Sequence, residues 1–280
     1  MQVAVTGADG FTGRYVLEEL ERRGHTFSEF SGDLTKPDEV EAFFKTESFD
    51  AVIHLAAIAF VHSDDHKAFY EVNQLGTLNL LEAIVGNGSR VPVLLASSAN
   101  VYGQQGGQLS EAVTPQPVNH YAVSKLSMEH CARLYDDRLD IIITRPFNYT
   151  GVGQEEQYLI PKIVKHFRDR AERIELGNLD VARDFGGVDA VASAYCQMIE
   201  KEKLSGTFNI GTGKAVHLRT ILDMCRELTG HDLEVAVNPA FVRANDIPSL
   251  CGDISKLRQA LPDWRPTAIR DVLAGMLGVD

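Results

Sequence analysis

The sequence predicts an α/β fold: a Rossmann-type doubly wound parallel sheet, with a smaller, discontinuous lobe woven around it. Three observations carry this. Short apolar, β-branched runs recur at 2–6, 51–57, 91–98, 140–146 and 206–211. Such runs mark strands covered on both faces. Helical stretches separate them, the alternation expected of right-handed βαβ crossovers. The first run passes through Gly7-Ala-Asp-Gly10-Phe-Thr-Gly13 directly into an amphipathic helix.

The elements follow in order. Gln2 to Thr6 is the first strand, and its helix runs to Arg23, where Gly24 stops it. A glycine-rich turn between strand and helix lets backbone approach a pyrophosphate, which rests on the helix N-terminus. Gly7, Gly10, Phe11, Thr12 and Gly13 are therefore candidate dinucleotide-binding residues. Asp9 beside them suits a solvent-facing turn. Thr26 to Phe30 is a weaker second strand, and an acid near such a strand end usually takes the ribose hydroxyls of NAD. Ser31 stands nearest that position, Arg14 follows the last glycine, and Asp33 comes late enough to face the adenine edge. A serine does not repel a 2′-phosphate, so NADP(H) is expected to serve at least as well as NAD(H).

A helix opening Thr35-Lys-Pro-Asp-Glu-Val follows, with proline in its first turn. Ala51 to Ala57 is the next strand, and its small final residues allow backbone to pass close to a cofactor. His54 inside it is expected to be packed rather than reactive. A helix around Val72–Glu82 carries Asn73, and the strand Val91–Ser98 ends in two hydroxyls just before Val101-Tyr102-Gly103. Tyr121-Ala-Val-Ser-Lys125 opens a helix running to Asp136-Asp137, and Asp140–Pro146 is another strand. Beyond Phe147 the texture changes. A basic helix (162–170), a core helix (185–200), a last buried strand (206–211) and a helix at 218–228 lead into a loop-rich tail. The expected units are a dinucleotide-binding domain, 1–147 and 178–212, and a substrate lobe, 148–177 and 213–280.

With 280 residues, 44% of them hydrophobic, the chain can bury a large core. A net charge of -12 argues against a nucleic-acid backbone or an anionic membrane as the main partner. Cys131, Cys196, Cys225 and Cys251 are scattered without metal-ligand spacing and read as reduced thiols of a cytoplasmic protein; no metal is expected. The start of the chain passes straight into a strand, so no signal peptide is expected. No apolar run approaches the ~20 residues of a membrane span.

Tyr121 and Lys125 lie four apart, on one face of a helix. A phenol titrates near pH ~10, and a neighbouring cation favours its phenolate. Such a pair can give a proton to a carbonyl oxygen or take one from a hydroxyl. The same spacing also occurs as an ordinary surface pair.

Together, Gly7/Gly10/Gly13, Ala56-Ala57, Asn73, Ser97-Ser98-Ala-Asn-Val-Tyr-Gly103, Tyr121/Lys125 and Arg145-Pro146 resemble the extended short-chain dehydrogenase/reductase family, of NAD-dependent epimerase/dehydratase type. Arg145–Gln154, Gly177–Phe185 and Arg243–Pro248 are most similar to sugar-nucleotide members, above all GDP-4-keto-6-deoxy-D-mannose reductases, while Gly32-Asp-Leu-Thr also resembles dTDP-4-keto-sugar reductases. The resemblance implies Tyr121 as proton donor, Lys125 lowering its pKa and holding the nicotinamide ribose, and Ser98 bonding the reacting oxygen, with Ser97 pointing elsewhere. It implies cofactor contacts from Leu34, Leu55, Ala56, Ala57, Asn73 and Pro146 besides the glycine turn, Ser31 and Asp33. Asn73 also suits a structural bridge between helix and strand. Asn100 stands where those enzymes often carry an acid. Asn100, Asn148, Arg183 and Arg243 are the implied substrate-binding residues, the arginines because a planar fork meets phosphate bidentately. The expected reaction is NAD(P)H-dependent reduction of a 4-keto-6-deoxy sugar linked to GDP or dTDP. A 4-epimerase holding NAD tightly, and a non-catalytic dinucleotide sensor, remain alternatives. A homodimer is implied, through the Asn73 and Tyr121 helices, with Ala122, Leu126 and Cys131 on its apolar side.

Overall fold

The apolar runs become the strands of one parallel sheet. In the computed structural model, which describes residues 1–59, 65–88, 90–242 and 247–279, these are β1 (Gln2–Thr6), β2 (Thr26–Phe30), β3 (Ala51–His54), β4 (Pro92–Ala96), β6 (Asp140–Pro146) and β10 (Gly206–Ile210), ordered β10-β6-β4-β3-β1-β2. Every pairing is parallel. The chain leaves β1 for β2 on one side and resumes at β3 on the other. At such a reversal a crevice opens outside the carboxyl ends of the strands, the usual ligand site of an open α/β sheet.

Strand side chains alternate between the faces. Val3, Val5 and Ile142 pack with α1 (Phe11–Arg22), α7 (Val188–Ile199) and α9 (Ser255–Ala260). Ala4, Ile141 and Ile143 pack with α2 (Pro37–Thr46), α4 (Thr77–Gly86) and α5 (His120–Arg133). A short α3 (His66–Tyr70) runs into α4 through a π-helical turn, Glu71–Gly76, that contains Asn73. Such turns often mark functional positions.

A second sheet joins β5 (Gly107–Leu109), β7 (Asn148–Thr150), β9 (Ala182–Gly187), β11 (Ala215–His217) and β13 (Ser249–Gly252). Beside it β8 (Arg173–Leu176) pairs with β12 (Glu234–Val237). Helices α6 (Leu159–Arg168), α8 (Leu218–Thr229) and α10 (Ile269–Leu277) close a separate core around Phe167, Leu176, Ile221 and Leu273. The buried Asp184 of β9 ties the sheets together. Its carboxylate accepts from the Thr212 N–H at 2.8 Å and the Thr212 hydroxyl at 2.7 Å, just past β10, and from Gly252 N–H at 3.3 Å in β13.

Several elements depart from the sequence reading. The helix expected from 185 begins at Val188, because Phe185–Gly187 complete β9 in register with β7. Residues 178–212 therefore divide: β9 belongs to the second sheet, while α7 and β10 pack with the first. The described residues of the tail include β12, β13, α9, α10 and a 3₁₀ turn (Pro239–Phe241), and Trp264 anchors it by donating to Ala190 O at 2.9 Å. Helix α5 ends at Arg133, and its Ala122, read as part of an apolar outer side, is buried within the chain; Val123 and Leu134 are the apolar side chains exposed there. No helix among the described residues is long and apolar enough to cross a membrane.

His54 is packed, as expected, with Nδ1 2.7 Å from the Thr6 hydroxyl and Nε2 2.9 Å from the Thr77 hydroxyl. Burial, aided by the charge of Lys125, lowers its pKa to about 3. A folded pKa below the unfolded one contributes stability above the unfolded value of 6.5, lost as pH falls from there toward 3. Each pH unit in that window costs about 1.4 kcal/mol. Urea midpoints between pH 6.5 and 5 should fall more steeply for the native protein than for His54→Gln; equal slopes would show that the ring is not held neutral.

Candidate active site

Loops following β1, β3, β4 and β6 converge on the crevice. Gly7 leaves β1 at φ +69°, and a Cβ there would lie 2.6 Å from Ala56 N, so glycine is required where this turn meets the end of β3. At Gly13 a Cβ would fall 2.3 Å from Gly7 O, which holds helix α1 tight against the turn. Gly10 is the N-cap of α1 and has no side-chain cap, leaving first-turn N–H groups for an anion. This cradle fits a dinucleotide pyrophosphate. The side chains of Phe11 and Thr12 turn toward Tyr149 of β7: the rings stack at 6.2 Å, and the Thr12 and Tyr149 hydroxyls lie 2.9 Å apart.

Along the second strand Ser31 is exposed. Asp33 turns inward on its own loop, accepting from the Thr35 N–H at 2.9 Å and the Thr35 hydroxyl at 2.7 Å. These hydrogen bonds hold its carboxyl below the usual range. Leu34 is buried in the core, and its carbonyl accepts from Asn79. Arg14 donates to Gly153 O at 3.2 Å and is otherwise exposed. Leu55, Ala56 and Ala57 are half-buried after β3, and Pro146 is buried at the end of β6.

Helix α5 carries the other side. Asn119 caps it, its side chain accepting from Ala122 N–H at 2.8 Å, which sets Tyr121 in the first turn. The ring of Tyr121 meets Phe69 edge-on and is buried. Burial pushes the phenol pKa up to about 12, while the nearby Ser98 hydroxyl opposes the rise. Lys125 is buried too, donating to Ala96 O at 2.7 Å, and burial lowers its pKa to about 8 while Glu129 opposes the fall. The expected lowering of the Tyr121 pKa by Lys125 is therefore not what the geometry gives: the ammonium is directed at the last carbonyl of β4, and burial dominates both groups.

Ser98 faces Tyr121. Ser97 points elsewhere, as expected, donating to Glu129 at 2.5 Å. Glu129, the next step of four after Lys125, forms a buried bidentate pair with Arg145 of β6, at 3.0 and 2.6 Å. Asn73 is a bridge: it exchanges hydrogen bonds with the Ile58 backbone and donates to Ser124 Oγ, whose hydroxyl donates to Tyr121 O.

Among the substrate candidates, Asn100 lies on Ser98, donating to its Oγ at 3.1 Å. Asn148 is exposed at the start of β7, opposite Phe185 and two residues along β9 from Arg183. Arg183 donates to Ala182 O and, at 2.6 Å, to Ile247 O. Arg243 lies outside the described residues. Sequence reading missed Glu129 and the phenols of Tyr149 and Tyr158, which lie close enough to Tyr121 to act on its charge. The four-residue step from Lys125 signalled Glu129; nothing local signalled the tyrosines.

A glycine cradle opposite a buried phenol, hydroxyl and ammonium defines a dinucleotide-dependent enzyme able to move a proton at a carbonyl or alcohol oxygen. Residues 3–211 match the NAD dependent epimerase/dehydratase family. The chain belongs to this family, the extended branch of the short-chain dehydrogenase/reductases, NAD(P)-dependent enzymes of nucleotide-sugar metabolism. It is 40% identical to a GDP-6-deoxy-D-talose 4-dehydrogenase of Aggregatibacter actinomycetemcomitans, across 99% of this chain and 97% of that one. It is 30% identical to a GDP-6-deoxy-D-mannose reductase of Pseudomonas aeruginosa, covering 94% and 91%. The crystal structure of RMD from Pseudomonas aeruginosa complexed with NADPH superposes with a TM-score of 0.91 at 30% identity, covering 99% and 97%.

Removing one partner of a buried ion pair strands the other. Glu129→Ala should lower unfolding stability by about 3–5 kcal/mol, read from urea denaturation. A loss below about 1 kcal/mol, the range of exposed pairs, would mean that the pair is not buried in solution.

Proposed function

We propose that the chain is an NAD(P)H-dependent reductase of the 4-keto group of a GDP-linked 4-keto-6-deoxyhexose. The observation that carries this is the buried Tyr121 phenol with the Ser98 hydroxyl close to it, beside the glycine cradle. The names of the relatives support the substrate. 6-Deoxytalose and 6-deoxymannose differ only in configuration at C4, and oxidation at C4 turns both into the same ketone.

Burial favours the neutral phenol, so Tyr121 holds its proton at neutral pH and is set to donate it. That suits reduction, in which the oxygen gains a proton as the carbon gains a hydride. When bound, the nicotinamide supplies that hydride. Ser98 donates a hydrogen bond to the ketone oxygen, and Tyr121 protonates it as negative charge develops. Lys125, fixed by Ala96 O, is the residue to hold the ribose. Asn148 and Arg183, with Arg243, are assigned to the substrate diphosphate.

Mixing the protein with GDP-4-keto-6-deoxymannose and NADPH or NADH should oxidise one cofactor per sugar, followed by absorbance of the reduced cofactor. GDP- or UDP-hexoses interconverting without net cofactor change would replace this reading with an epimerase. Tyr121→Phe should keep cofactor affinity and lose turnover by roughly 10²–10⁴-fold; near-native turnover would remove Tyr121 from the mechanism.

Cofactor choice follows from the exposed Ser31. NADPH should serve at least as well as NADH, and Ser31→Asp should shift the ratio of kcat/KM values toward NADH by repelling the 2′-phosphate. A native protein that uses only NADH would overturn the assignment.

A further inference from the structure

The Ser98 hydroxyl has one hydrogen to give and two lone pairs to accept with. Both accepting positions are taken by one residue. The Asn100 backbone N–H donates to Ser98 Oγ at 3.1 Å, and the Asn100 side-chain amide donates to the same oxygen at 3.1 Å. The backbone contact is built into the local fold, since Ser98 is the N-cap of the 3₁₀ turn Ala99–Tyr102. That turn is closed by Val101 N–H to Ser98 O at 3.2 Å and by Gly103 at φ +73°. With its acceptors filled, Ser98 keeps only its hydrogen for the site, where Tyr121 is near enough for the hydroxyl to act on its pKa.

We propose that Asn100 is a positioning residue that makes Ser98 an obligate hydrogen-bond donor, so that the hydroxyl is aimed at the reacting oxygen before substrate arrives. This rests on the reductase reading above and deepens it. In this chain the orienting side chain is an amide, where similar reductases often carry an acid, and the geometry seen here depends on its N–H. A carboxylate at position 100 would accept from Ser98 and draw the hydrogen away from Tyr121 and the ketone. An alanine would leave the backbone N–H, and so part of the orientation. A preoriented donor costs no reorganisation when negative charge develops on the oxygen.

Among the described residues, the titratable groups around this part of the site are the following. Tyr121 comes from α5, and the phenols that act on Tyr121 are Tyr149 of β7 and Tyr158, the residue before α6; Lys125 of α5 is turned onto Ala96 O. Glu129 is held on the neighbouring Ser97 by Arg145 and turned away from Ser98.

The test compares the native protein with Asn100→Ala, Asn100→Asp, Ser98→Ala and Ser98→Ala/Asn100→Asp. Ketone reduction is followed from pH 5 to 9. Asn100→Asp should lower kcat by roughly 10–100-fold at neutral pH, as expected for loss of an oxyanion donor, with KM nearly unchanged. The loss should shrink as pH falls toward 5 and the new carboxyl protonates. Asn100→Ala should lose only several-fold at every pH. On the Ser98→Ala background the aspartate should cost nothing further. An Asn100→Asp loss that equals that of Asn100→Ala, or persists without Ser98, overturns the proposal.

A second readout needs neither substrate nor cofactor. With 3-fluorotyrosine incorporated, the ¹⁹F resonance assigned to position 121 by Tyr121→Phe should titrate at higher pH in Asn100→Asp than in Asn100→Ala. That difference should largely vanish when Ser98 is alanine. If it survives the loss of Ser98, only the added charge is acting and the proposal fails. If the native protein leaves the GDP-linked ketone untouched while the ¹⁹F titrations follow the expected order, the substrate reading fails and the role of Asn100 stands.

Discussion

The arrangement of the site depends on a carboxylate and a guanidinium buried together between a helix and a sheet. Glu129 and Arg145 each keep 6% of their side-chain surface and form a bidentate pair, with the Ser97 hydroxyl as a third partner. Burying such charges is expensive unless geometry and further hydrogen bonds compensate. The arrangement supplies most of that compensation: the guanidinium also lies 4.9 Å from the centre of the Tyr102 ring, whose hydroxyl donates to Asn209. What the pair secures is register. It locks the third turn of α5 to β6 and to the end of β4, so Lys125 and Tyr121, one and two turns earlier, can occupy only one position over the crevice.

Further bonds complete the placement. Asn119 determines where α5 starts, and Asn73 reaches from the π-helical turn to Ser124, joining α5 to the loop after β3. Each bond ends on a different segment of the crevice rim. A site built this way holds its donors before a substrate arrives, and preorganisation of this kind is worth more than any single contact.

The same burial sets the electrostatics. Removing the phenol and the ammonium from water moves their pKa values in opposite directions, each toward its neutral form. The neutral phenol holds a proton that can pass to an oxygen on which negative charge develops. The relatives bear names for oxidation of one C4 epimer and reduction to the other. That pairing is chemically natural at a single ketone, where the face receiving hydride decides the product.

Much of this was written locally in the chain. Gly7, Gly10 and Gly13 follow a strand and precede a helix, and the sterics that require them act within a few residues. Continuous apolar runs marked β1, β3, β4, β6 and β10, because strands covered on both faces must be apolar throughout. Tyr121 and Lys125 were legible because helical spacing is a property of sequence. Other features were not legible, because they depend on distances closed by folding. Glu129 and Arg145 are separated by a turn and a strand, and only the docking of α5 shows that they neutralise each other. Phe185–Gly187 looked helical until pairing with β7 made them strand. The directions of the Tyr121 and Lys125 pKa values were decided by burial, which no spacing reveals, and so was the turning of Asp33 onto Thr35. The sequence by itself determined the residues that can do the chemistry; the tertiary structure decided which of them share a site and in which charge state, because desolvation and hydrogen-bond partners exist only once the chain has packed.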